Sequence, residues 1–142
     1  MGRPHIEFLQ CQSLEWEPEP LLPGAWTRTM SRDSETGACT QMSKMGPGLH
    51  FEKGSRIAAD EEFYVLSGCY YLNGYEYAAG CYGYYPAGHA RAQAYSSEGA
   101  VILRFFDAEP RLMSPDEPAP AGRPPAIEFI DAFRMVWDRS VL

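Results

Sequence analysis

The chain has 142 residues, 45% of them apolar, enough for one ordinary hydrophobic core and too few for two domains of average size. With 19 acidic residues against 12 Lys and Arg, the formal charge is −7, so phosphate backbones and anionic lipid surfaces would repel the molecule as a whole. Nucleic acid and membrane are therefore not expected as partners. No apolar run approaches the roughly 20 residues of a spanning helix. The start, Met1-Gly2-Arg3-Pro4-His5-Ile6, shows neither the apolar core of a secretory signal nor the Ser or Thr of an N-myristoylation site. A cytoplasmic protein without a lipid anchor is expected.

Between Ala38 and Phe106 the chain is built of short runs rich in aromatic and β-branched residues, separated by Gly, Pro and Asn-Gly, a pattern that predicts an all-β barrel or sandwich. The clearest run is Glu62 to Leu66, followed by a Ser67-Gly68 break and then Cys69 to Leu72. Asn73-Gly74 next to Tyr75-Glu76-Tyr77 predicts a tight hairpin, because both central residues of such a turn take positive φ. Ala79-Gly80 breaks the chain again before Cys81 to Tyr85, which Pro86-Ala87-Gly88 ends, and Ala100 to Phe106 is the last regular strand.

From Asp107 to Pro125 the composition turns to Pro, Ala and Asp and predicts an extended linker. Beyond it, Ile127-Glu128-Phe129-Ile130 with Met135 and Trp137 echoes Ile6-Glu7-Phe8-Leu9 with Leu14 and Trp16, and Ile to Trp spans ten residues in both. Such an echo fits a repeat, in which the chain is half of a two-barrel ancestor, or an edge strand added to its own barrel or a neighbour's; chance resemblance of two amphipathic strands is the plain alternative. The organisation expected is a barrel over 1–106, a Pro-rich linker over 107–125 and a C-terminal strand within 126–142, with a homodimer favoured by the spare strand. Cys11, Cys39, Cys69 and Cys81 are widely spaced with no C-x-x-C pair, so buried free thiols are expected. Trp16, Trp26 and Trp137 belong first to core or interface.

Glu61 followed by six residues and Gly68, and then Gly80-x5-Pro86-x-Gly88, resemble the two signature motifs of the cupin superfamily. Pro47-Gly48 upstream and Ser96-Ser97-Glu98-Gly99 downstream are similar to its ChrR-like subgroup, and the resemblance is firm from Gly37 to Phe106. It implies an RmlC-like jelly-roll barrel. The family holds iron, nickel, manganese or zinc with His-x-His, a Glu and a third His. Here those positions fall on Ser55 and Ile57 (or Gly54 and Arg56 with the longer spacing), on Glu61, and on Arg91. One carboxylate beside a guanidinium does not suit an ion that prefers imidazole nitrogen, so no metal or other cofactor is expected. A site rebuilt from His5, His50 and His89 is the alternative, favoured if His50 and His89 face one another.

His89 and Arg91 are two apart and share a strand face, which by family position looks into the barrel with Glu61. Glu61 and His89 are the expected catalytic pair. A carboxylate among aromatic rings is raised in pKa unless Arg91 pairs with it, and an imidazole ordinarily titrates near neutrality. Arg91, with five donors and a permanent charge, is expected to bind a carboxylate, enolate or phenolate, with Tyr84, Phe63 and Ser55 completing the binding set. The nine tyrosines, from Tyr64 to Tyr95, divide between cavity lining and packing, Tyr64 pointing outward. These parts suit metal-independent proton transfer of the lyase, isomerase, dehydratase or cyclase kind on a small anionic or aromatic metabolite. The alternatives are a non-catalytic ligand-binding cupin, in which Glu61 and Arg91 neutralise each other, and a metal-dependent dioxygenase. Arg56 is expected to face solvent, with a place at the barrel mouth as the alternative.

Overall fold

Strands form where side chains alternate between a core and an open face, and the computed structural model, which describes residues 14–51 and 54–134, shows that alternation in almost every element. In chain order the strands are β1 (Glu17–Pro18), β2 (Trp26–Arg32), β3 (Cys39–Met45), β4 (Leu49–Phe51), β5 (Glu61–Leu72), β6 (Tyr75–Ala78), β7 (Cys81–Tyr85), β8 (Ala94–Ser96), β9 (Ala100–Phe106) and β10 (Ile127–Asp131). A 3-10 turn, Ala132–Arg134, follows. All the strand pairs are antiparallel, and the order β1-β2-β3-β9-β5-β7-β10 forms one face, while β4, β8, β6 and the end of β5 form the other. The architecture is a cupin jelly roll.

β5 belongs to both faces. Its first half pairs with β9 and β7, and its second half, from Cys69, pairs with β6 and β8. The Ser67-Gly68 break predicted from sequence is thus a corner inside one strand. The register slips between Val65 and Ser67, and Gly68 has φ +76°. A Cβ on Gly68 would stand 2.0 Å from the Gly99 oxygen, so only glycine allows the strand to turn there. Asn73 (φ 51°) and Gly74 (φ 82°) make the predicted hairpin between β5 and β6.

The interior is filled from alternate positions: Phe63 and Val65 on β5, Ile102 and Phe106 on β9, Cys39 and Met45 on β3, Tyr85 on β7 and Tyr77 on β6. Phe63 is the hub, its ring edge-on to Tyr77, Tyr85 and Tyr70 at 4.9, 5.6 and 6.0 Å. Burying an apolar side chain of this size contributes about 1.5–3 kcal/mol. Cys39, Cys69 and Cys81 are buried, Cys69 and Cys81 as free thiols, and burial raises the Cys69 thiol to about 11.

β10 pairs with β7 of the same chain, Ile127 opposite Tyr84 and Asp131 opposite Cys81. The C-terminal strand is therefore an edge strand of its own barrel. His5, Cys11, Met135, Trp137 and the N-terminal half of the internal echo, Ile6 to Leu9, lie outside the described residues. The Pro-rich stretch between β9 and β10 is a strap laid along residues 56–58: Ala58 N donates to Arg111 O at 2.9 Å and Met113 N to Arg56 O at 2.9 Å. Arg56, expected in solvent, instead donates to the carbonyls of Ser114, Pro115 and Glu117 at 2.8, 3.1 and 2.6 Å. Three carbonyls of a segment outside the sheet converge on one guanidinium, whose charge-assisted hydrogen bonds replace those to water.

Candidate functional site

Glu61 opens β5 on the inward face and is 1% exposed. Its carboxylate is gripped from two sides. Arg91 Nη1 donates to Oε1 at 2.6 Å, while Arg104 donates from Nε to Oε2 at 2.5 Å and from Nη2 to Oε1 at 3.3 Å. Arg104 comes from β9, where Ala100, Ile102, Arg104 and Phe106 are the inward positions. Its remaining nitrogen, Nη1, turns to Ser43 Oγ at 3.4 Å and lies 3.5 Å from Glu19 Oε2. Glu19, 3% exposed, is itself fixed by Leu21 N donating to its Oε1 at 3.0 Å and by Ser43 Oγ donating to its Oε2 at 3.3 Å.

The result is a buried file of alternating charge, Glu19, Arg104, Glu61, Arg91, with two formal negatives and two formal positives. Burial alone would raise the Glu61 carboxyl, but the Arg104 and Arg91 charges and their hydrogen bonds outweigh it and hold it below its ordinary value. The same pairing raises Arg104 against the opposing effect of its burial. Arg91, 7% exposed, lies 5.0 Å over the Tyr85 ring, and its Nε is buried without an acceptor among the described residues.

Two spaces open on this file. An inner cavity of about 590 Å³ is walled by Leu21, Ile57, Tyr70, Leu72, Arg91 and Arg104, among others, a volume within the roughly 300–1,000 Å³ of small-molecule sites. Burial pushes the Tyr70 phenol up to about 12, so it stays a neutral donor. An open vestibule of about 1290 Å³ adjoins it, with Tyr71, Asn73, Glu76, His89, Tyr95 and Glu128 on its rim. Ser55, Arg91, Met113 and Pro115 line both, so the strap forms one wall of the passage between them.

Of the residues singled out in the sequence, Glu61, Arg91 and Ser55 come together: Ser55 and Arg91 exchange backbone hydrogen bonds of 2.9 and 2.8 Å, and Arg91 reaches on to Glu61. His89 stands apart at the vestibule, its Nε2 3.4 Å from Glu128 Oε1 and its ring edge-on to Tyr85 at 4.8 Å. Phe63 is sealed in the core, 1% exposed, and lines neither space. Tyr84 alternates to the outer face, where its hydroxyl donates to Asp60 Oδ2 at 3.2 Å, because its neighbour Tyr85 takes the inward position. The raised carboxyl expected of an unpaired Glu61 gives way to a lowered one. Arg104, Glu19 and Glu128 were not anticipated. Arg104 carried a readable signal, a charge at an inward-phased position of an apolar strand. Glu19 and Glu128 carried none, since the charged groups they meet, Arg104 and His89, lie far away in sequence.

The cupin metals do not fit these residues. At the positions that would hold imidazoles stand Ser55, Ile57 and Arg91, and Ile57 is packed in the core. The one carboxylate, Glu61, already accepts three charge-assisted hydrogen bonds from two guanidinia, which would face any incoming divalent ion as like charges. His50 lies on the wall of the inner cavity and His89 in the vestibule, and among the described residues no three His, Cys, Asp or Glu side chains gather into a metal-holding group.

Over residues 5–108 the sequence matches the family described as the ChrR cupin-like domain, and this chain belongs to that family. No curated protein matches it. Among solved structures it is similar to an acetylacetone dioxygenase from Acinetobacter johnsonii, at 14% identity and a TM-score of 0.66, covering 92% of this chain and 88% of that one. It is also similar to the polyketide cyclase RemF from Streptomyces resistomycificus, at 14% identity and a TM-score of 0.61, covering 79% and 89%. A candidate dioxygenase from Nostoc punctiforme PCC 73102 matches at 16% identity and a TM-score of 0.67 over 76% of this chain, which spans only 40% of that protein's length. At these identities the likeness shows the fold alone. Among the described residues no helix is long and apolar enough to cross a membrane.

Proposed function

We propose that this protein is a metal-free cupin that binds a compact, largely apolar small molecule in the inner cavity, with Arg91 and Arg104 supplying the hydrogen bonds that orient it. The observation that carries this reading is the clamp on Glu61, which occupies the metal position with guanidinium groups and leaves a cavity of small-molecule size beside them. The clamp also argues against Glu61 as the proton carrier, since a carboxylate held ionised by two cations is a weak base near neutrality.

A panel of small aromatic probes, titrated by calorimetry, tests the reading. Binding is expected, and Ser55→Phe, which fills the passage between vestibule and cavity, is expected to weaken it about tenfold or more. Failure of every probe to bind, or equal binding by the plugged variant, would contradict it.

A second reading, metal-independent proton transfer, is favoured by one feature: His89 is oriented by Glu128 on the vestibule rim. In that case His89 alone is the proton carrier and Glu128 its positioning partner. Exchange of the α-protons of a ketone probe into heavy water, followed by NMR, would be catalysed by the wild type and lost in His89→Gln. Equal rates in both would end this reading.

A further inference from the structure

The cavity's charge balance points to a choice between ligands of the same shape. Arg91 and Arg104 reach its wall, so two permanent cations suggest an anion site, the expectation the sequence attaches to Arg91 alone. Both cations are already matched. Glu61 lies 2.6 Å from Arg91 and 2.5 Å from Arg104, and Glu19 lies 3.5 Å from Arg104, so the file has no formal charge to offer a ligand. All four side chains are more than nine-tenths buried, and Leu21, Ile57, Leu72 and Leu112 supply apolar wall. A carboxylate entering this space would lose its hydration and add an uncompensated negative charge beside two buried carboxylates.

What the file does offer is donors. Arg91 has one hydrogen-bond acceptor for its side chain among the described residues, Glu61 Oε1, so a guanidinium with five donors stands on the cavity wall with most of them uncommitted. An uncharged oxygen accepts from a guanidinium edge and disturbs no charge balance.

From this we infer that the inner cavity selects a neutral hydrogen-bond acceptor, a ketone, aldehyde or amide oxygen on a compact apolar body, over a carboxylate of matching shape. The inference rests on the reading of the cavity as a ligand site and fixes its ligand class. Charge balance, with Glu61 and Glu19 as the counterweights, is the selecting device.

Acetophenone and benzoate differ by a methyl group in place of a charged oxygen and are the probes, titrated by calorimetry at pH 8. The wild type is expected to bind acetophenone about tenfold tighter or more. Glu61→Gln removes one negative charge and leaves the guanidinia in excess, so benzoate is expected to gain on acetophenone by a similar factor. Glu19→Gln gives the same direction and serves should the first variant not fold. Tighter binding of benzoate by the wild type overturns the inference, as does a probe ratio that neither variant moves. If neither probe binds, it is the ligand reading of the cavity that fails.

Discussion

Arg104 does three jobs from one inward position on β9: it neutralises Glu61, it ties Ser43 and Glu19 into the same buried file, and it stands on the cavity wall. Removing it would leave two buried carboxylates and one cation, Arg91, which touches Glu61 alone. Breaking a buried ion pair by deleting one partner costs roughly 3–5 kcal/mol, so Arg104→Leu is expected to lower the unfolding free energy, measured by denaturant titration, by an amount in that range, and Ser43→Ala by far less. Glu61 makes a separate prediction through pH. Its folded-state pKa lies below the ordinary 4.5, so the unfolded chain binds its proton first as the solution is acidified. The stability it contributes is therefore complete above that ordinary value and lost as pH falls through the lower folded one. Unfolding free energy measured against pH should fall in that acidic window for the wild type and be flatter there for Glu61→Gln. Parallel curves would mean that the carboxylate is not held ionised by its neighbours.

At the scale of elements, the strand crossing at Phe63 depends on a missing side chain. Gly83 lies opposite Phe63 in the β5–β7 register, and a Cβ there would meet the Phe63 ring at 2.5 Å. Gly83→Ala should destabilise the barrel by about 1–3 kcal/mol through overpacking, while Gly74→Ala, whose Cβ meets nothing, should cost only the backbone strain of a positive φ. The strap between β9 and β10 makes a different prediction. Arg56 satisfies three of its carbonyls, so Arg56→Ala should speed amide hydrogen exchange at residues 111–117, with little change in the β5–β9 ladder. Uniform acceleration across the barrel would show that the strap is not a separately held unit.

Across the whole molecule, punctuation was the legible part. Asn73-Gly74, Gly80, Pro86 and Gly88 mark turns by residue chemistry alone, and the apolar runs between them fix β7 and β9 at the bounds the structure shows. The corner at Gly68 is visible as a break but not as a corner, since a bulge that passes a strand between sheets depends on partners from β9 and β8. The same limit applies to the site. Glu61 and Arg91 were readable from their motif positions, whereas the second guanidinium, the Glu19 counterweight and the strap are assembled by long-range pairing that no local pattern encodes. Tyr84 and Phe63, expected in the binding set, are sent elsewhere by the alternation of β7 and the packing around Gly83.

The most direct test is elemental analysis of the purified protein after dialysis against manganese, iron, nickel and zinc in turn, followed by removal of free ion. A carboxylate saturated by Arg91 and Arg104 predicts no stoichiometric metal with any of the four. One equivalent retained by the wild type and lost in Glu61→Gln would contradict the account.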